Sequence, residues 1–191
     1  YRDKYNRTGV LASNLASLKP YLIDLYEEFH GEDKVKILCE GAQGFELDID
    51  WGDYPYVTSS HCTAAGAMLN GIPHRWIRNI WGVAKIYETY VGAKKFEPDS
   101  PVFPLLRSYG EEYGATTGRP RQCNWLDLNK LQKAVNVNGV NRLVINKMDV
   151  MRKLGQWTLI KDGKEKHFND ESDIKSFMSK QLEDPLSDKP M

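Results

Sequence analysis

The chain has 191 residues, 41% hydrophobic and 27% charged, which suffices for one domain with a real core. Its 26 basic side chains balance 26 acidic ones, and that argues against the long-range electrostatic footprint of a nucleic-acid or membrane-surface binder. No apolar run approaches the roughly 20 residues that span a bilayer, and three scattered cysteines (Cys39, Cys62, Cys123) with no CxxC pair argue against a disulfide scaffold or zinc ribbon and fit a reducing compartment.

The chain opens at Tyr1 on a charged stretch, YRDKYNRTG, that is no signal peptide; this predicts either processing or a piece of a longer protein. From Val10 to Phe29, apolar residues recur at helical spacing, with Pro20 either dividing the run into two short helices or starting the second, and Gly31 closing it. Val35–Cys39 predicts a strand that ends in the glycine-bearing loop Gly41-Ala42-Gln43-Gly44. Residues 45–60 read as irregular. Ala64–Leu69 and Trp76–Tyr87 read as helices, the second with Trp76, Ile77, Ile80 and Trp81 as core, and residues 91–120 as a long ordered loop. Leu126–Val135 predicts a helix with Asp127 near its start, and Arg142–Asn146 a buried strand. Two runs flanking Asp162-Gly163 predict a hairpin, and residues 170–183 a surface helix. Together these predict an α/β fold: a mainly parallel central sheet, flanking helices, long functional loops and a small β-hairpin near the C-terminus. No internal repeat or low-complexity tract is present.

Three motifs carry chemistry. Asn146-Lys147-Met148-Asp149 follows an apolar strand and matches the N/T-K-x-D pattern of guanine sites. A carboxylate there can accept both N1–H and the 2-amino group of guanine, a pair adenine does not offer; a pattern this short also occurs at solvated strand ends. The loop Gly114-Ala-Thr-Thr-Gly-Arg-Pro-Arg121 sets two hydroxyls and two guanidinium groups within eight residues, an arrangement suited to carboxylate or phosphate and otherwise a basic surface turn. Gln43, in Glu40-Gly-Ala-Gln-Gly44, and Thr58, in Tyr54–Ser60, could read a purine edge or a phosphate, or belong to loops packed by tyrosines. The four histidines show no metal-ligand spacing, the cysteines read as buried apolar residues, and no GxxxxGK[ST] occurs.

In order, YRDKYNRTG, EGAQG, DIDWGDYPYVTSS, YVGA, YGATTGRPRQCNWLDL and NGVNRLVINKMD resemble the adenylosuccinate synthetase family over residues 1–9 and 35–150. The resemblance implies a cytoplasmic ligase of purine biosynthesis that joins L-aspartate to C6 of IMP, with GTP as co-substrate and a 6-phosphoryl-IMP intermediate. It implies IMP contacts from Arg7, Gln43, Thr58, Val91 and Arg119, and an aspartate loop of Ala115, Thr116, Thr117, Gly118, Arg119 and Arg121. It implies a GTP site of Arg121, Lys147, Met148 and Asp149, and a homodimer in which Arg7 reaches across the interface. No nucleic acid or membrane partner is implied.

The family's N-terminal phosphate loop, its general base and acid and most of its Mg²⁺ ligands have no counterpart in this sequence. Residues 1–191 therefore read as one partial domain lacking its N-terminal part, with no catalytic acid or base and no metal ligand assigned, inactive alone. Tyr90 stands where the family usually has Arg, Lys94-Lys95 replace Gly-Pro, and His61-Cys62 replace Asn-Thr. These departures keep open a phage-type relative that acts on dGMP to make a 2-aminoadenine precursor. A non-catalytic guanine-nucleotide-binding module is the alternative of another class.

Overall fold

A computed structural model describes residues 16–31 and 35–182. A 3-10 turn spans Lys19–Tyr21 with Pro20 in its first positions, and helix α1 spans Leu25–His30. Asp24 caps α1 by accepting from the amides of Tyr26 and Glu27, and the Gly31 amide closes it on the Glu27 carbonyl. The run does break before α1, but at residues 22–24 and not at Pro20, which lies inside the 3-10 turn; residues 10–15 lie outside the described residues. Val35–Cys39 is not a strand. It has no ladder partner among the described residues, and Leu38 is 93% exposed; an extended run becomes a strand only when a neighbour takes its backbone groups. Residues 45–60 are irregular as expected, apart from a 3-10 turn at Phe45–Leu47, and helix α2 (Ala65–Leu69) follows.

The expected helix over Trp76–Tyr87 is replaced by two strands, β1 (Trp81–Lys85) and β2 (Tyr87–Tyr90), with buried Ile86 between them. The i, i+1, i+4, i+5 spacing of Trp76, Ile77, Ile80 and Trp81 suits a helix, but the period of two wins. Trp81 and Val83 face outward at 61% and 67% exposure, while Gly82 and Ala84 turn inward. The same chain serves two partners. β1 runs parallel to β4 (Arg142–Asn146), pairing Lys85 with Asn146, and β2 runs antiparallel to β3 (Gln122–Trp125). The Ile86 amide continues the first ladder by donating to the Asn146 carbonyl. With one neighbour, β4 is half-buried, not fully buried as expected.

Residues 91–120 are a loop only in part, because helix α3 occupies Val102–Gly110. Its prolines, Pro101 and Pro104, hide it from a periodicity reading. At the N-cap and in the first turn, neither lacks an N–H that the helix needs. Helix α4 (Leu128–Asn138) starts on the Asp127 cap as expected. Helix α5 (Met148–Leu154) was not foreseen; it begins directly after β4. The hairpin of β5 (Trp157–Lys161) and β6 (Lys164–Phe168) turns on Asp162 and Gly163, both at positive φ, as a two-residue turn demands. Helix α6 (Glu171–Leu182) closes the described chain.

One core joins these later elements: Ile86, Tyr87, Phe103, Leu106, Trp125, Leu128, Met151, Leu159 and Ile174 are all at most 2% exposed. α3, α5 and β2–β3 share it with the hairpin and α6. The architecture is thus α/β with a parallel pair, helices and a C-terminal hairpin. No helix among the described residues is long and apolar enough to cross a membrane. Of the cysteines, Cys123 is buried as expected and burial pushes its thiol up to about 11, but Cys62 is half-buried and Cys39 exposed.

Candidate functional site

The C-terminal ends of the parallel pair are where an α/β sheet presents ligand-binding groups, and two of the three motifs meet there. β4 ends at Asn146. Lys147 then adopts the left-handed region at φ 62 and starts α5, which puts Met148 and Asp149 in the helix's first turn. The Lys147 Nζ donates to the Gly110 carbonyl at 3.0 Å, tying the box to the end of α3. Asp149 is exposed.

Immediately beyond Gly110, Glu111 ends α3 in the left-handed region, and this turns Glu112 inward. The Glu112 side chain is 3% exposed. Strand alternation sets Lys85, Tyr87 and Thr89 on one face of β1–β2, and the Lys85 Nζ donates to both Glu112 oxygens at 2.8 Å and to the Thr89 hydroxyl. The Tyr87 hydroxyl donates to Glu112 at 2.7 Å, and the Arg121 guanidinium donates at 3.0 Å. Gly110 is what makes room: a Cβ there would lie 2.3 Å from the Tyr87 oxygen. Burial pushes the Glu112 carboxyl up, but Lys85, the Tyr87 hydroxyl and Arg121 outweigh it and hold it below the ordinary glutamate value. Burial and the Glu112 bond push the Tyr87 hydroxyl far up, so it stays a neutral donor.

The 114–121 loop hangs from this cluster. Tyr113 bridges Pro120, the Gly114 amide donates to the Arg119 carbonyl, and Gly118 sits at φ 64 with its amide on the Gly114 carbonyl. Ala115, Thr116, Thr117, Gly118 and Arg119 are exposed, whereas Arg121 is half-buried. Among the described residues the Arg119 guanidinium has no carboxylate partner. Lys85, Arg119 and Arg121 against one carboxylate leave two positive charges beside this loop.

The third motif folds separately. Asp48 is fully buried; its carboxylate accepts from the amides of Asp50, Trp51 and Cys62 and draws residues 48–62 into a loop. Burial pushes its carboxyl up, but the three amides outweigh that and hold it below the ordinary aspartate value. Gln43 stands exposed at φ 57, and the half-buried Thr58 donates its amide to the Leu47 carbonyl. Among the described residues no direct bond joins Gln43 or Thr58 to the other two motifs. The link is indirect: Asp53 pairs with Lys94, whose carbonyl accepts from the side-chain Nε2 of Gln122 at the start of β3. Exposed Val91 begins that same loop, and Arg7 lies outside the described residues. A cleft of about 380 Å³ lined by Met68, His74, Ile77 and Val137 holds none of the candidate residues.

Asp48, Asp50 and His61 bring ligand atoms within 4.8 Å of one another. The three amides on Asp48 account for it as a loop brace. Sequence reasoning missed the Lys85–Tyr87–Glu112 group altogether. The available signal was a Lys-x-Tyr-x-Thr alternation, which reading the segment as a helix concealed.

The model of the family described as adenylosuccinate synthetase matches residues 3–181. That reaches through the hairpin and most of α6, beyond the span the motifs alone delimit. An adenylosuccinate synthetase of Halothermothrix orenii is 48% identical over 140 residues, which cover 70% of this chain and 32% of the relative. One of Lodderomyces elongisporus is 46% identical over 141 residues, covering 71% and 33%. The match thus spans about a third of the length of these relatives. The structure of a fully ligated adenylosuccinate synthetase from Plasmodium falciparum superposes with a TM-score of 0.80 at 28% identity, covering 94% of this chain and 54% of that one. Shared order of motifs, shared architecture and the family match lead to one conclusion: the chain belongs to the adenylosuccinate synthetase family.

Proposed function

We propose that residues 1–191 are the ligand-holding part of a ligase that joins L-aspartate to C6 of IMP at the expense of GTP. The observation that carries this reading is the meeting, at the C-terminal ends of β1 and β4, of the Asn146–Asp149 box and the doubly cationic 114–121 loop through Lys85, Gly110 and Glu112. In this reading the γ-phosphoryl group of GTP passes to O6 of IMP. The amine of aspartate then attacks C6, the C6–O bond breaks, and phosphate leaves. The chemistry needs three anionic ligands held together, so the chain's work is positioning and charge compensation.

Asp149 accepts from guanine N1–H and its amino group, Lys147 lies along the base, and Met148 completes that site. Arg119 and Arg121, with the amides and hydroxyls of 115–118, take the aspartate carboxylates; two guanidinium groups suit a dicarboxylate. Arg119 also faces IMP, Arg121 also faces GTP, and Gln43, Thr58 and Val91 contact IMP. A homodimer with Arg7 reaching across, and a cytoplasmic setting, complete the proposal. Mg²⁺, the family's metal, is not fitted by the Asp48–Asp50–His61 trio. Mg²⁺ asks for near-octahedral oxygen ligation, and both Asp48 oxygens are already engaged. A guanine-binding module alone leaves the cationic loop without a use.

The test supplies the full-length protein with aspartate, GTP, Mg²⁺ and either IMP or dGMP and follows succinylated nucleotide. Product from IMP is expected. Product from dGMP alone would move the substrate to the 2-aminoadenine branch, and no product from either would overturn the ligase reading.

A further inference from the structure

Arg121 is the most firmly held residue of the 114–121 loop. Its amide donates to the Glu112 carbonyl at 3.0 Å, its own carbonyl accepts from Arg107 Nε at 2.6 Å, and its guanidinium donates to the Glu112 carboxylate. Arg107 is braced in turn by Glu97, whose carboxylate also accepts from the Cys123 amide. Arg119, two residues earlier, is tied only through its backbone: its carbonyl accepts from the Gly114 amide, its amide reaches the Thr117 hydroxyl at 3.4 Å, and among the described residues its guanidinium has no carboxylate partner. Among the described residues the loop thus has one braced guanidinium and one unbraced. Among those residues, too, Glu112 alone touches Arg121 at both backbone and side chain, and it is also the residue on which Lys85 and Tyr87 converge.

We propose that Glu112 is a positioning residue for the aspartate site: its buried carboxylate, fixed by Lys85 and Tyr87, sets the plane of the Arg121 guanidinium so that the remaining N–H groups meet a substrate carboxylate in register. This rests on the ligase reading of the loop. The physical case is one of opposed effects. A carboxylate beside an anion site weakens the site by repulsion, so its presence there is a cost unless it delivers geometry. Bidentate pairing of guanidinium with carboxylate depends on that geometry, and effective catalysis on holding reacting groups in place before substrate arrives. Glu112 accepts from four N–H or O–H groups on three side chains at 2.7–3.0 Å and is 3% exposed. A carboxylate so enclosed cannot swing away.

Charge and geometry predict opposite signs for Glu112→Gln in the full-length protein. Loss of repulsion alone would tighten aspartate binding. Loss of positioning weakens it, because the amide brings its own donors against Lys85 and Arg121. The expected result is a tenfold or larger rise in KM for aspartate, with KM for IMP changing less than twofold. Aspartate binding by calorimetry should weaken in step, in a readout that needs no turnover. Tyr87→Phe, which removes one hydroxyl and keeps the charges, should raise KM for aspartate about threefold and serves if Glu112→Gln fails to fold. Unchanged or tighter aspartate binding in the variant that folds, or an equal rise in KM for all three substrates, would overturn the positioning role. Wild-type protein that binds aspartate yet forms no product would overturn the ligase reading while the calorimetric comparison still decides the role of Glu112.

Discussion

Residues 102–182 and residues 35–80 are held together by different forces. The later region surrounds a continuous apolar core, in which Phe103, Leu106, Leu128, Met151, Leu159 and Ile174 are each at most 1% exposed. In the earlier region Ile72, at 7% exposure, is the one hydrophobic residue counted with the core, and it lies outside the main cluster. Directed polar ties take the place of packing. Asp48 gathers its loop through three amides, the Asn138 side chain accepts from the Ala64 amide, and the Asn141 side chain joins the Ile80 amide to the Arg78 carbonyl. The binding motifs divide the same way. The arginine loop and the Asn146–Asp149 box hang from the packed region, while Gln43 and Thr58 hang from the tied one. Packing gives rigid placement, whereas side-chain-to-backbone ties let a loop reshape at smaller cost.

The comparison can be broken first at its strongest point. Leu106→Ala empties a site at 0% exposure and should cost about 2–5 kcal/mol in chemical denaturation. A loss well under 1 kcal/mol would mean that the later region is not held by packing. Next in size, Asp48→Asn replaces one acceptor with a donor facing the Cys62 amide and should cost about 1–3 kcal/mol. Its pH dependence sharpens the point. The Asp48 carboxyl is held below its ordinary value, so its contribution is complete above the ordinary carboxylate range and disappears as pH falls through the lowered folded-state value. Wild type should lose stability along that acid limb, and Asp48→Asn should show a shallower one. The smallest effect is expected at Glu171. Arg152 and Lys175 push its carboxyl down to about 2, yet those partners are more than half exposed. Water and salt screen such a pair, so Glu171→Gln should leave the melting midpoint almost unchanged at physiological salt.

The parts of the fold legible in the sequence are those where local chemistry and tertiary context agree. Asp127 caps α4, Asp162-Gly163 turns the hairpin, and the apolar run before Asn146 is a strand. The failures are conflicts. Val35–Cys39 has strand composition and no ladder partner among the described residues. Trp76–Tyr87 has helical spacing, yet strands run through Trp81–Lys85 and from Tyr87, and Pro101 and Pro104 mask a helix they are well placed to begin. Of the candidate site, Arg119, Arg121, Lys147 and Asp149 stand out in the sequence as candidates because their types match the chemistry of carboxylate and guanine. Lys85, Tyr87 and Glu112 do not, because they come from three elements and acquire meaning only where those elements meet.

The most direct test of the proposed site is the base it would read. In full-length protein, Asp149→Asn exchanges an acceptor of guanine's N1–H and amino group for an amide that can donate to the 2-oxo group of xanthine. A tenfold or larger rise in KM for GTP, with XTP becoming a usable donor, is the expected result. Unchanged use of GTP by the folded variant would contradict the assignment of the Asn146–Asp149 box to guanine.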